Sequence, residues 1–324
     1  MRRLLIIWSV IGAVVLGAFG TTVLALNSTV YSASGFVLSY LDALGRRDAV
    51  GALEIAGDIH LAEDDQDASR QLLAASAISI PEKVSVLADV ATESGTHRIT
   101  VGYEIDGARN QSTYEIKPGT NMLGVFSGWS FVTAPVAVMH VSVLGDARFT
   151  ANGTDLVSPT PNAPAPYLVF TPSNFVLDHV SNFLEANDVT VTATEPGASI
   201  PTAVDVRANE KFVAAVQEEV DRALDECTTQ QVLQPTGCAF GQAIRNRIVT
   251  TPAWSIASYP AVTIERGANL QWKMPVTTGA AHLVVDIRSI YDGSVSTFDE
   301  DVPFQVSYTI TLLSDTEVVI SPAA

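Results

Sequence analysis

The longest uninterrupted apolar pattern runs from Leu4 to Leu26, 23 residues without an ionisable side chain. As a helix rising about 1.5 Å per residue it reaches roughly 35 Å, enough for a hydrocarbon core of about 30 Å. The run is apolar on every face, so it predicts a transmembrane helix over 4–26, carrying Leu4, Trp8, Leu16 and Leu26, with residues 1–3 ahead of it. Arg2 and Arg3 precede it, and the positive-inside rule then places the amino terminus in the cytoplasm and the rest beyond the membrane. A cleaved signal peptide is the competing reading. Such a peptide has an apolar core of about 7–15 residues ending at a small-x-small site, whereas Val23-Leu24-Ala25 is followed here by Leu26. Both readings export the remainder of the chain.

After this run the period is helical. Phe36, Val37, Tyr40, Leu41 and Leu44 share a helix face, Gly45-Arg46-Arg47-Asp48 interrupts, and Ala49–Ala56 forms a second short helix. The acidic stretch Glu63-Asp64-Asp65-Gln66-Asp67 precedes an apolar turn at Leu72-Leu73. Beyond Pro81 the pattern alternates: Val84, Val86 and Leu87 begin one strand, Ile99, Val101 and Tyr103 form a second, and Tyr114 and Ile116 lie in a third. Asp106-Gly107 predicts a hairpin, and Trp129 and Phe131 begin a closing strand. Helices followed by an antiparallel sheet predict an α+β domain over 29–133.

Residues 134–198 read as a small β-sandwich-like module. Val136 to Val143 gives a strand, Gly145-Asp146 and Asn152-Gly153 give turns, and strands resume at Tyr167–Phe170 and Val189–Ala193. Pro159, Pro161, Pro164 and Pro166 exclude a central strand there. Pro196-Gly197 through Pro201 reads as a linker.

A second α+β domain is expected over 202–324. Phe212, Val213, Val216, Val220, Ala223 and Leu224 share a face of a long amphipathic helix. A short helix is expected around Gln242–Ile248, then strands at Trp254–Ile264, Leu270–Val276, His282–Tyr291 and Phe304–Leu313. Turns fall at Asp292-Gly293 and Ser314-Asp315, and Val318–Ile320 adds a final strand.

Charge narrows the function classes. The net charge of −17 argues against an extended nucleic-acid-binding surface. An apolar fraction of 47% with only 16% charged residues argues against intrinsic disorder. The two cysteines, Cys227 and Cys238, are separated by a segment containing Pro235 and Gly237, so the chain can turn back between them. In an oxidising compartment they are expected to form a disulfide; two unpaired buried thiols are the alternative. Fourteen arginines against four lysines, with abundant Ala, Val and Thr, fit a GC-rich bacterial genome.

Recognisable catalytic patterns are missing: no His-Glu-x-x-His, Gly-x-Ser-x-Gly, Walker A, Gly-x-Gly-x-x-Gly or Cys-x-x-Cys occurs. His60, His97, His140, His179 and His282 are scattered without metal-ligand spacing. His60 with Glu63, Asp64 and Asp65 is the densest polar cluster and reads as a solvated acidic loop, because the glycine of a calcium-binding loop is lacking. Asp299-Glu300-Asp301 reads as a charged hairpin. Trp129, Trp254 and Trp272 lie in predicted strands and read as core. No cofactor and no metal site is expected.

The phrase Phe36-Val37-Leu38-Ser39-Tyr40-Leu41-Asp42-Ala43-Leu44-Gly45-Arg46-Arg47-Asp48-Ala49 resembles the opening helix of the NTF2-like (cystatin-like) superfamily. The resemblance covers 29–133 and implies a cone-shaped pocket, in which Tyr40, His60 and Tyr103 are the polar candidates. The 202–324 domain is more faintly similar and reads as a diverged copy. Its segment Pro235-Thr236-Gly237-Cys238-Ala239-Phe240-Gly241, with Trp254 and Tyr259-Pro260, resembles a domain of actinobacterial membrane proteins, a resemblance that implies no activity. Two groups share the overall plan: Gram-positive wall-associated membrane proteins, and single-span subunits of conjugation and type IV secretion machines. The expectation is therefore a single-span, non-enzymatic protein that binds or scaffolds in the cell envelope. Its partners would be membrane lipid, through the amino-terminal helix, and an envelope protein or cell-wall component. A small-ligand-binding protein or enzyme using the NTF2-like pocket, and a conjugation or secretion subunit, are the alternatives.

Overall fold

Ser32 accepts a hydrogen bond from the Gly35 N–H and so caps the first helix of the folded region, α1 (Ala33–Gly45). The computed structural model describes residues 8, 14–22, 25–26, 28–29, 31–120 and 127–323. Its architecture is α+β, mostly sheet with few helices, and it divides into two compact units. The first comprises residues 1–143, 148–178 and 188–204; the second comprises 144–147, 179–187 and 205–324.

In the first unit, Asp48 caps α2 (Ala49–Ala56) by accepting from the Gly51 N–H at 2.9 Å. Three single 3-10 turns come next, Glu63–Asp65, Gln71–Leu73 and Ala75–Ala77. The chain then forms β1 (Glu82–Ala91), β2 (His97–Ile105), β3 (Ala108–Pro118) and β4 (Trp129–Phe131), paired in that order. Asp106 and Gly107, with φ of 51° and 79°, make the two-residue turn between β2 and β3. Both central residues have positive φ, the geometry that matches strand twist in a tight hairpin. The alternation predicted from sequence buries Ile99, Val101, Tyr103 and Ile105 of β2 against Val37, Tyr40, Leu41 and Leu44 of α1. β1 is exposed along most of its length, and its register shifts twice against β2.

Next come β5 (Val136–Leu144), β6 (Arg148–Ala151), β7 (Thr154–Val157), β8 (Pro164–Phe170), β9 (Ser173–Val180), β10 (Leu184–Ala193) and β11 (Ser199–Asp205), which belong to the first unit except for Leu144, residues 179–180 and 184–187, and Asp205. β11, β5 and β8 form one sheet in that order; β10, β9, β6 and β7 are neighbours in another. Pro164 and Pro166 sit on β8, at a sheet edge where missing N–H groups are tolerated. That edge is covered by Ser69, whose N–H donates to Pro166 O (2.9 Å) and whose carbonyl accepts from Leu168 N (2.8 Å). Val136, Val138, Leu168 and Phe170 belong to the core built by α1, α2 and β1–β4.

In the second unit, β12 (Arg207–Ala208) pairs with Leu184 and Glu185. Asn209 caps α3 (Glu210–Thr228), which buries Phe212, Val216, Val220 and Leu224 at three- and four-residue spacing. β13 (Arg247–Ile248), β14 (Ala253–Ser258) and β15 (Glu265–Arg266) all pair with β16 (Trp272–Arg288), which pairs with β17 (Val295–Leu312) and that with β18 (Val318–Pro322). Phe183 stacks on Phe212, which in turn meets Trp272 edge to face, with ring centroids 5.4 and 5.8 Å apart.

Several expectations need correction. The strands expected at 270–276 and 282–291 are one strand, β16. Gly279 lies at the expected break and permits continuity, because a Cβ there would fall 2.5 Å from the Phe304 ring. No helix forms at 242–248; Arg247 and Ile248 are drawn into the sheet opposite Arg288 and Ile287. The segment read as a linker to Pro201 is a turn leading into β11 from Ser199. Asp299-Glu300-Asp301, by contrast, lies as expected on a hairpin, on its β17 strand opposite His282, Leu283 and Val284 of β16. β9 is a strand beyond those expected.

Of the predicted membrane helix, residues 14–22 are helical, about 14 Å at the standard rise. No helix among the described residues is long and apolar enough to cross a membrane. Leu4, with residues 5–7, 9–13 and 23–24 of the run, lies outside the described residues, as do Arg2 and Arg3. Trp8 and Leu16 are exposed.

Candidate functional site

β5 has core on both faces at its start. Val136 and Val138 point into the helix-and-sheet core, and the pleat places His140 next on that face, just beyond the core's edge. Opposite His140 on β8 is Pro166, whose carbonyl holds Ser69. That clamp fixes the preceding 3-10 turn, and its last residue, Asp65, accepts from His140 Nε2 at 2.8 Å. On the other side of the ring, Ser199 Oγ lies 3.1 Å from His140 Nδ1. Ser199 is placed by Gly197, whose N–H donates to Val136 O at 2.7 Å, and by Ala198, whose carbonyl accepts from Val138 N at 2.8 Å. Gly197 has φ 74°, and a Cβ there would come within 3.1 Å of Thr133 Cγ2, so both backbone and neighbour call for glycine.

A carboxylate only accepts, so the neutral ring beside Asp65 carries its proton on Nε2, which leaves Nδ1 able to accept the Ser199 O–H. The His140 side chain is a quarter exposed and Asp65 about half that. Beside them opens a cavity of about 180 Å³, with Ile59, Leu61, Ala134, Val136 and Val138 among its apolar walls and His60, Asp65, Thr133 and Ser199 contributing polar atoms. Sequence reasoning singles out Asp65 and His140 separately and does not reach Ser199. No local spacing unites residues 65, 140 and 199; alternation along β5 is the one usable signal.

The three residues expected to line an NTF2-like pocket are not brought together. Tyr40 is fully buried, its hydroxyl 2.9 Å from the carbonyls of both Pro135 and Thr171. Tyr103 is buried with its hydroxyl 2.7 Å from Ser112 Oγ. His60 is exposed beside the cavity, its Nδ1 3.3 Å from Asp58 O. Burial pushes the Tyr40 and Tyr114 phenols well above their ordinary range. Tyr40, Tyr114 and Phe131 meet edge to face at centroid separations of 5.5–6.3 Å and fill the space between helix and sheet.

Four of the five histidines pair with aspartates. Besides His140, His97 Nδ1 is 2.6 Å from Asp89, and His179 Nε2 is 3.6 Å from Asp146. His282 on β16 lies between Asp301 (2.8 Å) and Asp299 (3.0 Å) of β17. Among the described residues no group of three or more His, Cys, Asp or Glu side chains is placed to hold a metal ion. Trp254 and Trp272 are buried and Trp129 is half-buried, its indole N–H donating to Tyr31 O at 2.8 Å.

The expected disulfide joins Cys227, at the end of α3, to Cys238, with Cα atoms 5.9 Å apart. Its loop is tied back by Trp254 Nε1, which donates to Val232 O at 2.8 Å, and Phe240 packs on Trp254 and Phe304. Comparison with protein-family models, curated proteins and solved structures finds no match for this chain.

Proposed function

We propose that the chain is a cell-envelope protein, held at the membrane by its amino-terminal segment with both folded units outside the cytoplasm, acting by binding or scaffolding. The observation that carries this reading is the Cys227–Cys238 disulfide, since disulfides persist in oxidising compartments. The apolar run over 4–26 behind Arg2 and Arg3 supports the anchor and its orientation. The order α1, α2, then β1 to β4 supports an NTF2-like reading of the first unit. Its cone is filled by tyrosines whose hydroxyls are satisfied, which favours action through surfaces over turnover in that cone. Exposed apolar residues at the β16–β17 tip, Ile290 and Tyr291, the latter 98% exposed, offer contact area to a partner.

Crosslinking in living cells through a tag on the exported part, with mass spectrometry of the captured material, tests the reading. Reproducible capture of an envelope protein or wall fragment is expected. An empty capture from chains demonstrably displayed at the surface would contradict a scaffolding role.

A further inference from the structure

We infer that Ser199 is an activated nucleophile able to accept an acyl group from a small neutral ester, with His140 as its base and the adjoining cavity as the acyl site. The geometry supplies a nucleophile beside an oriented base: a hydroxyl 3.1 Å from a ring nitrogen, and the ring's other nitrogen 2.8 Å from a carboxylate. An unassisted serine hydroxyl is a weak nucleophile, and an adjacent base oriented by a third group is what activates it. Asp65 acts through His140 and is a positioning residue: it holds the proton on Nε2 and so keeps Nδ1 free to accept. A separation of 3.1 Å is within the range found before substrate binds.

The cavity restricts the substrate. Its volume of about 180 Å³ is close to that of an engineered apolar cavity of about 150 Å³ that admits benzene, so a short acyl chain fits. Its walls at Ile59, Leu61, Val136 and Val138 are apolar, matching a hydrocarbon tail. Glu63, Asp64 and Asp67 flank Asp65, and the chain carries −17 overall, so an anionic substrate is repelled and a neutral ester is not.

As Ser199 Oγ bonds to the ester carbonyl carbon, its proton passes to His140 Nδ1. The bond from that carbon to the alkoxy oxygen then breaks, and the alcohol departs with the proton. Water repeats the sequence on the acyl-serine, releasing the carboxylic acid and restoring the hydroxyl. This activity goes beyond the proposed scaffolding role, which requires no turnover, and the two fail independently.

The test is covalent labelling of the full chain in detergent with a small dialkyl fluorophosphate, read by peptide mass spectrometry. In that reaction the Oγ–P bond forms, the P–F bond breaks, and fluoride leaves with the serine proton. One addition, at Ser199, is expected, absent in Ser199→Ala and slowed about 10²-fold in His140→Ala, in line with removing a general base. Asp65→Asn, which presents an N–H and favours the wrong tautomer, is expected to slow labelling at least about tenfold. Asp65→Glu, which keeps the acceptor, should retain more of the rate, a difference that a purely structural role would not produce. Folded wild-type protein that takes no label at Ser199, or a Ser199 rate unchanged in folded His140→Ala, would overturn the proposal. The wild-type result decides the matter if a variant does not fold.

Discussion

Tyr40 of α1 and Tyr114 of β3 aim their hydroxyls at one carbonyl oxygen, that of Thr171, from 2.9 and 3.0 Å. Tyr40 also reaches Pro135 O at 2.9 Å. A helix, a sheet strand and the β8–β9 connection, more than fifty residues apart in sequence, are thereby joined through buried polar contacts. A buried hydroxyl is costly unless paired, so these paired tyrosines help specify how α1 sits on its sheet.

Tyr40→Phe removes that hydroxyl and one contact from each carbonyl, while Thr171 O keeps Tyr114 and Pro135 O keeps the Thr171 N–H. A loss of about 1–2 kcal/mol is expected from urea unfolding of the full chain. In a double-mutant cycle, Tyr40→Phe and Tyr114→Phe should couple by about 0.5–1 kcal/mol because they share a partner. Additivity would mean that the shared carbonyl contributes nothing.

Replacing both cysteines, Cys227→Ala with Cys238→Ala, opens a loop whose ends are 11 residues apart. Chain-entropy arithmetic gives a loss of about 3 kcal/mol. Unfolding should begin earlier in the second unit, which hydrogen exchange at α3 and β14 would report. Unchanged exchange there would show that the Trp254 and Phe240 contacts hold the loop without the bond.

Gly197→Ala meets two obstacles, a positive φ and the Thr133 methyl. A cost of about 1–2 kcal/mol is expected, together with displacement of Ser199 from His140. Adding Thr133→Ser removes the methyl and leaves the φ strain, so thermal unfolding should recover only in part. Full recovery would place the whole cost in the contact.

Hydrogen bonding to Asp301, with Asp299 adding a second negative charge, raises the His282 pKa above its ordinary value. Protonation is then favoured in the folded state, so the pair's contribution is present at low pH and lost as pH rises through the folded pKa. By NMR titration, His282 should lose its proton above about 6.5, the unperturbed value. Asp301→Asn should bring its midpoint down. A midpoint at or below the unperturbed value in the native chain would contradict the paired geometry in solution.

Much of the fold is legible in the sequence because periodicity is local. α1, α2, α3 and the β2–β3 hairpin arise from apolar spacing, capping residues and Asp106-Gly107. The misread places depend on distant partners. The Thr277-Thr278-Gly279 stretch has the look of a break, yet its glycine is there because Phe304 on β17 needs the space. Arg247 and Ile248 lack strand alternation of their own and are recruited by β16. The candidate site is the least legible part, because Asp65, His140 and Ser199 come from a turn, a strand and a strand start with no common motif.

The central claim is that both units lie outside the cytoplasm in an oxidising compartment. The most direct measurement treats intact cells with a membrane-impermeant amine label and traps thiols at the same moment. The account predicts that the chain is labelled at lysines beyond residue 80 and that Cys227 and Cys238 resist alkylation until reduced. Labelling only after lysis, with both cysteines free to alkylate, would contradict it.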